Sequence, residues 1–276
     1  MEAAFWERVA ADGHRVPADQ SLTDLTAELT TMLGDPDPHL RDGIAYPTLA
    51  TWVSEGVYDD LLEGLGDGMT SGLTVGLGER DTDSVFRRSF SALVLAECIS
   101  RANDAHQLGP EVLLRWGDRA AGWLVRERDV RGFVPGKGWA HAVAHGADVI
   151  GVLAASPAVG RLELTVLLDV IGDRLLIQTD HRFVDGEDDR LAAATMGILR
   201  RDVVSLEVIE PWLTRLTIAA GDVTSAGQSA MAHNAQGFLR ALHLQLAFGP
   251  QPPLARADLL LAIIPMLKRA NPHYLG

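Results

Sequence analysis

The amino-acid sequence predicts an all-α protein built from paired antiparallel helices. Apolar residues recur at the three- and four-residue spacing of a helix in one segment after another, whereas β-branched residues nowhere alternate with polar ones over a useful length. Hydrophobic residues make up 47% of the 276 residues and charged residues 22%, which is ordinary for a folded protein. The connections between segments are a few residues long, so consecutive helices should lie antiparallel.

Capping residues mark the helix ends in the first part of the chain. Ser21 precedes a segment whose leucines fall on one face, and the following segment starts at Asp37-Pro38 and stops at Gly56. The same reasoning, applied along the whole chain, predicts helices over residues 21–34, 37–56, 57–69, 82–104, 109–129, 139–155, 160–178, 187–201, 205–221, 229–248 and 255–270.

The arrangement of these helices is predicted from their pairing. Asp-Pro turns followed by two amphipathic helices, as in residues 34–53, resemble HEAT-type repeats. The later pairs are irregular, and no stretch of the chain is typical of a long linker. We therefore expect a single domain over residues 1–276, either a HEAT-like, irregular α-solenoid or a curved two-layer helical domain.

Composition limits the partners. The formal net charge of −13 argues against nucleic acid and against anionic membrane surfaces, and favours a neutral or cationic ligand. Cys98 is the one cysteine, which excludes an intrachain disulfide and predicts a small core residue. The N-terminal segment lacks the pattern of a signal peptide, and the longest apolar run, residues 259–267, is too short for a bilayer. We expect a cytoplasmic protein with a small molecule or a protein as partner.

The stretch RGFVPGKGWAHAVAHGAD, residues 131–148, carries the candidate site. In the helix predicted over residues 139–155, His141, His145 and Asp148 stand at positions i, i+4 and i+7 and share one stripe. The other directions of this helix are apolar, as in a buried helix, so the three polar groups should face an internal cleft.

Four interpretations of this stripe remain open. His141 and His145 are candidate ligands of a divalent metal, with Asp148 as a third ligand or orienting partner, and with further ligands from His181, Asp185 or His233. Alternatively, one histidine is a general base held by Asp148. In the third interpretation the stripe lines a pocket that binds a small molecule without chemistry. In the fourth, its histidines only hydrogen-bond across helices.

The segment before the stripe favours a pocket. Arg131 and Lys137 stand beside glycines, which let backbone approach a ligand, and Gly136-Lys137-Gly138 before a helix start resembles an anion-holding loop without the spacing of a P-loop. We expect Trp139 to be a buried anchor. The predicted function is recognition of a small molecule or short polar motif by Arg131, Lys137, Trp139, His141, His145 and Asp148. The alternatives are a metal-dependent enzyme of hydrolase type on His141, His145 and Asp148, and a protein-interaction scaffold whose histidines are structural.

The same stretch resembles a bacterial family, DUF2785. The RGF, GKGWAH and AHGAD segments occur in that order, and similarity extends through RRSFSALVLAECISRAND, EDDRLAAA and HNAQGFLRALHLQL. The resemblance implies an all-helical fold and a shared polar cluster, without an activity. The positions it carries over are Arg131, Gly132, Lys137, Gly138, Trp139, His141, His145 and Asp148, and in the outer segments Asn103, Asp104, Glu187, Asp188, Arg190, Asn234 and Arg240.

Overall fold

A computed structural model describes residues 3–106, 108–221 and 226–275. Its backbone divides into two compact units, Met1–Val149 and Ile150–Gly276. Both units are built from helices, and the described residues contain one further element, a two-stranded hairpin. The all-α prediction is therefore confirmed, while the prediction of a single domain over residues 1–276 stays a prediction.

The described residues of the first unit form six complete helices, two short irregular helices and the hairpin, and the unit ends inside a seventh helix. The bounds are α1 Ala3–Ala11, α2 Leu22–Met32, a π-helix His39–Ala45, α3 Tyr46–Ser54, a 3₁₀ turn Asp59–Leu61, α4 Leu62–Gly72, α5 Ser84–Ala105, α6 Pro110–Arg126, β1 Phe133–Val134, β2 Gly138–Trp139 and α7 Ala142–Ala155.

Helix α5 is the centre of the first unit. It packs against α3 and α4, and most of its side chains are buried, including Cys98, as predicted for a core residue. Two glycines of α4 permit close approach of neighbouring helices: a Cβ at Gly66 would overlap the ring of Trp116 in α6, and a Cβ at Gly72 would overlap Ser91 in α5. Side chains of α6 and α5 therefore pack directly against the backbone of α4 at these two glycines.

A buried ion pair fixes the chain between α6 and the hairpin. Arg88 of α5 and Glu127 have no exposed side-chain surface and form two hydrogen bonds, the one from Nη2 to Oε1 being 2.9 Å long. The Glu127 carboxylate also accepts hydrogen bonds from the indole of Trp123 and from the backbone N–H groups of Arg128 and Asp129. A buried carboxylate needs this many donors to offset its desolvation, and the result is a fixed entry to the hairpin.

In the second unit, the part of the chain that the structure describes comprises the end of α7 and six more helices. Helix α11 packs against α8, α9, α10 and α12 and forms the centre of this unit. The bounds are α8 Arg161–Leu176, α9 Glu187–Leu199, α10 Leu206–Gly221, α11 Ala226–Phe248, α12 Arg256–Ala270 and α13 Pro272–Leu275.

The structure corrects the sequence prediction at the start of α7. The helix predicted from Trp139 begins at Ala142, and Trp139 lies in β2, paired with Phe133 of β1. Trp139 is also 41% exposed, so the prediction of a buried anchor is wrong. The physical reason is the turn that precedes it, which reverses the chain and leaves both aromatic residues on the surface.

Candidate functional site

A tight turn closes the hairpin. Pro135 and Gly136 occupy its two central positions, Gly136 has a φ of +75°, and the N–H of Lys137 donates a 2.9 Å hydrogen bond to the carbonyl oxygen of Val134. This is the pattern of a type II turn, in which proline fixes the first φ and glycine accepts the positive second one. The segment that resembled an anion-holding loop before a helix is therefore a β-turn.

The second glycine of the turn region has a packing role. Gly138 has a φ of +78°, and a Cβ on it would lie 2.9 Å from the Cβ of Pro38. Both the conformation and the space thus require glycine at this position. The hairpin consequently lies directly against the start of the π-helix.

A fully buried arginine, Arg41, is hydrogen-bonded to the backbone of the hairpin. Arg41 donates a 2.6 Å hydrogen bond to the carbonyl oxygen of Lys137 and a 2.7 Å hydrogen bond to that of Asp35. Its guanidinium lies 4.0 Å from the ring centroid of Phe86. Burial lowers the pKa of Arg41, and the adjacent Asp42 opposes that change. Arg41 therefore holds the turn through charge-assisted bonds in a desolvated setting, where such bonds are strong.

The two cationic candidates of this stretch are paired with carboxylates. Lys137 Nζ lies 2.6 Å from Asp83 Oδ1, and the Arg131 guanidinium binds Asp129 through bonds of 2.8 and 2.6 Å. Arg131 also donates to the carbonyl oxygen of Thr82. Asp129 is buried, and this interaction raises the pKa of Arg131. An anionic ligand would have to displace Asp83 or Asp129, so these cations fix the hairpin in its place.

Four rings follow one another from the hairpin into α7, and we call them the aromatic row: Phe133, Trp139, His141 and His145. The Phe133 and Trp139 rings meet edge to face at 4.9 Å, and Trp139 stacks on His141 at 4.3 Å with an angle of 27°. His141 and His145 are perpendicular at 5.9 Å. Phe133 is 51% exposed, whereas His145 is buried, so the row runs from the surface to the core.

The backbone of His141 is held in the left-handed region. Its φ is +48°, its N–H donates to the carbonyl oxygen of Arg131, and its own carbonyl oxygen accepts the N–H of His145 at 2.9 Å. A side chain with a Cβ pays about 1–2 kcal/mol for this conformation. Such strain persists only where the surrounding structure imposes it, and it is frequent at functional sites.

Hydrogen bonds determine the tautomer of His145. The hydroxyl of Ser89 donates its proton to the carbonyl oxygen of Ala140, and Ser89 Oγ lies 2.7 Å from His145 Nδ1. Since the serine proton is already donated, Nδ1 carries the proton of the second bond. A serine activated as a nucleophile would donate to the imidazole instead. Ser89 and His145 are therefore a positioning pair and not a nucleophile with its base.

The third residue of the predicted stripe, Asp148, lies in α7 three residues after His145 and is half-buried. The structure thus brings the rings of His141 and His145 together in the first unit and keeps Asp148 on the same helix. Residues of the outer family segments lie on three other helices: Asn103 and Asp104 at the end of α5, Glu187, Asp188 and Arg190 at the start of α9, and Asn234 and Arg240 in α11.

Sequence reasoning missed three residues of this site: Phe133, Arg41 and Ser89. A signal for Phe133 was present, because Pro-Gly between Phe-Val and Lys-Gly-Trp is typical of a hairpin with a type II turn. No local signal pointed to Arg41 or Ser89, which lie 96 and 56 residues from the atoms they bind.

The fold and the site define a class of protein: an all-helical protein in which a short hairpin presents an aromatic row at the start of a buried helix. Residues 73–244, more than half of the chain, match the family described as "Protein of unknown function (DUF2785)". The chain belongs to this family, as the resemblance implied. No curated protein and no solved structure matches it. In the part of the chain that is described, no helix is long and apolar enough to cross a bilayer.

Proposed function

We propose that this protein recognises a small molecule or short polar motif at the aromatic row. The observation that carries the proposal is the exposure of Phe133 and Trp139, two large aromatic side chains that meet edge to face on a hairpin fixed by Arg41, Arg131 and Lys137. A rigid aromatic surface offers contact area at a low entropic cost, and it stacks flat rings or binds cations over its face.

The charge distribution favours a neutral or cationic ligand. The chain carries a net charge of −13, and both hairpin cations are paired with aspartates. A cation over Trp139 would gain from the ring quadrupole and from the field of the protein. The imidazole of His141, stacked under Trp139, adds a polar edge next to the apolar face. We therefore expect a ligand with a planar or cationic group and a hydrogen-bonding substituent.

Tryptophan fluorescence provides a direct test. Among the described residues Trp139 is the one exposed tryptophan, since the other five are exposed by 6% or less. Acrylamide should quench Trp139 selectively, and this quenching should disappear in Trp139→Phe. A panel of benzamidine, imidazole, adenine and indole then serves as probe, and a bound member should protect Trp139 from acrylamide and raise the Tm.

Two variants make this test specific. Phe133→Ala should abolish the protection because it removes one of the two exposed rings of the aromatic row, whereas Phe248→Ala, at an exposed aromatic residue of α11, should leave it unchanged. Protection that survives in Phe133→Ala, or its absence for every member of the panel, would contradict recognition at the aromatic row.

The second candidate is a metal-dependent enzyme of hydrolase type. It is supported by the bond from His145 Nδ1 to Ser89, which fixes one imidazole in the way that metal-binding histidines are commonly fixed. His141, 5.9 Å away between ring centroids, would be the next ligand, with Asp148 as the third. Protein purified without a histidine tag should then contain zinc or a similar divalent ion near one per chain, and His145→Ala should lose it.

The proposal also includes a HEAT-like pairing of the helices, a small-molecule or protein partner and a cytoplasmic location. Packing of the consecutive helices α10, α11 and α12 against one another supports the pairing. A scaffold function, with purely structural histidines, predicts capture of a protein partner that Trp139→Phe and Phe133→Ala leave unaffected.

A further inference from the structure

A second group of polar residues lies in the second unit, at the start of α9. The chain approaches this helix through a loop held by Asn234 of α11, whose Oδ1 accepts the N–H of Phe183 at 2.8 Å and whose Nδ2 donates to the carbonyl oxygen of His181. Phe183 is buried beside it. The loop therefore delivers Asp185 and Glu187 to the start of α9 in a fixed geometry.

Glu187 is the unusual residue of this group. It is 1% exposed, although it is the first residue of a helix, and the N–H of Asp185 donates a 3.0 Å hydrogen bond to its Oε2. Its other oxygen, Oε1, is enclosed and has no hydrogen-bond partner among the described residues. Leaving a buried carboxylate oxygen without a hydrogen-bond donor is costly, so such an atom calls for a ligand.

A second carboxylate lies close by. Carboxylate oxygens of Asp185 and Glu187 are within 4.8 Å of each other, which is a separation that one metal ion can span. Burial raises the pKa of Glu187, and the negative charges of Asp185 and Asp188 act in the same direction. Two carboxylates at this separation repel one another, and a bound cation removes both that repulsion and the unpaired state of Oε1.

We infer that Asp185 and Glu187 bind a hard divalent cation of the Mg²⁺ or Mn²⁺ type at the start of α9. Oxygen ligands suit such ions, and Mg²⁺ characteristically takes one or two carboxylates and keeps several waters. The inference is argued from Asp185 and Glu187 alone, and its test does not depend on the recognition proposed at the aromatic row.

The test is Mn²⁺ binding to the full chain, purified without a histidine tag and stripped with EDTA, measured by electron paramagnetic resonance of the free ion. We expect one bound Mn²⁺ per chain, displaced by Mg²⁺. Glu187→Gln and Asp185→Asn should each weaken binding by roughly tenfold or more, because loss of an outer partner alone already costs that much. Glu187→Gln keeps an oxygen that can accept the Asp185 N–H, and half-buried Asp185→Asn provides a second variant if the first does not fold.

Asp189→Asn is the matched control. It removes the same charge from the same first turn of α9, but at an exposed position, and it should leave Mn²⁺ affinity unchanged. His145→Ala should also leave it unchanged, which separates this site from the metal alternative at the histidines. Equal weakening by Asp189→Asn would indicate diffuse attraction and overturn the inference. So would the absence of Mn²⁺ binding to the wild type, in which case Glu187 holds a proton instead.

Discussion

Ser89 Oγ lies 2.7 Å from His145 Nδ1, and the same hydroxyl donates its proton to the carbonyl oxygen of Ala140. One buried serine thus connects α5, the end of the hairpin and α7. The bond to Ser89 orients the imidazole of His145, which is the innermost ring of the aromatic row. The ring of Phe90 lies 5.2 Å from it, nearly perpendicular. The orientation of the site is therefore fixed by a helix of the core.

Ser89→Ala should lower the free energy of unfolding by about 1–3 kcal/mol, because it leaves the Ala140 carbonyl and the His145 N–H buried without this partner. Urea denaturation measures the loss. Ser91→Ala is the control, since Ser91 is equally buried in α5 but its hydroxyl has no partner among the described residues; it should cost much less. Equal losses in both variants would show that the Ser89 bonds contribute nothing specific.

Glu127→Gln should destabilise the protein by about 3–5 kcal/mol, because it leaves the fully buried Arg88 without its counter-charge. The half-exposed pair of Arg115 and Glu63 offers a comparison on the same unit, with a separation of 2.9 Å. Glu63→Gln should cost less than about 1 kcal/mol, as surface pairs do. Both values come from chemical denaturation, and a similar small loss for the two variants would contradict the structural role given to Glu127.

The strained backbone at His141 predicts that a glycine variant is more stable there than an alanine variant, the reverse of the usual order in a helix. Because φ is +48° there, His141→Gly should be more stable than His141→Ala by about 1 kcal/mol. At His145, inside α7, the usual helical order should hold, with alanine more stable than glycine by about 0.5–1 kcal/mol. Thermal melts of the four variants decide the matter. An alanine variant at position 141 that matches or exceeds the glycine variant would refute the strained conformation.

Asp67 should make the stability of the protein depend on pH in the acidic range. The indole of Trp116 donates a 2.9 Å hydrogen bond to it, and this bond, with contributions from Arg115 and Arg119, lowers its pKa below the ordinary 3.8. A carboxylate whose pKa is lower in the folded than in the unfolded protein stabilises the folded state at pH values above the unfolded-state pKa. This stabilisation is lost as the pH falls through the folded-state pKa. Asp67→Asn should therefore lower the Tm at about pH 7 and lose much of that difference at about pH 2. A difference between the two proteins that does not change with pH would contradict this assignment.

The all-α class of fold and many of the helix positions are predictable from local sequence patterns. The helices predicted over residues 82–104, 187–201 and 205–221 correspond to α5, α9 and α10 within two residues at each end, because helical periodicity and capping act over a few neighbouring residues. The spacing of His141 and His145 also predicts that their rings lie close together, and their centroids are 5.9 Å apart, although His141 precedes the first residue of α7. The hairpin was missed because strands of two residues are too short for an alternating pattern to appear.

The contacts that the candidate residues make depend on the tertiary structure. Three of these contacts join residues far apart in the chain: Lys137 with Asp83, Arg41 with the Lys137 carbonyl, and Ser89 with His145. The exposure of Trp139 likewise depends on the surrounding fold. Such contacts depend on how helices pack, and helix packing is fixed by the sum of many side-chain contacts that no local pattern encodes. The enclosure of Glu187, which a helix-start pattern would place in solvent, is decided in the same way.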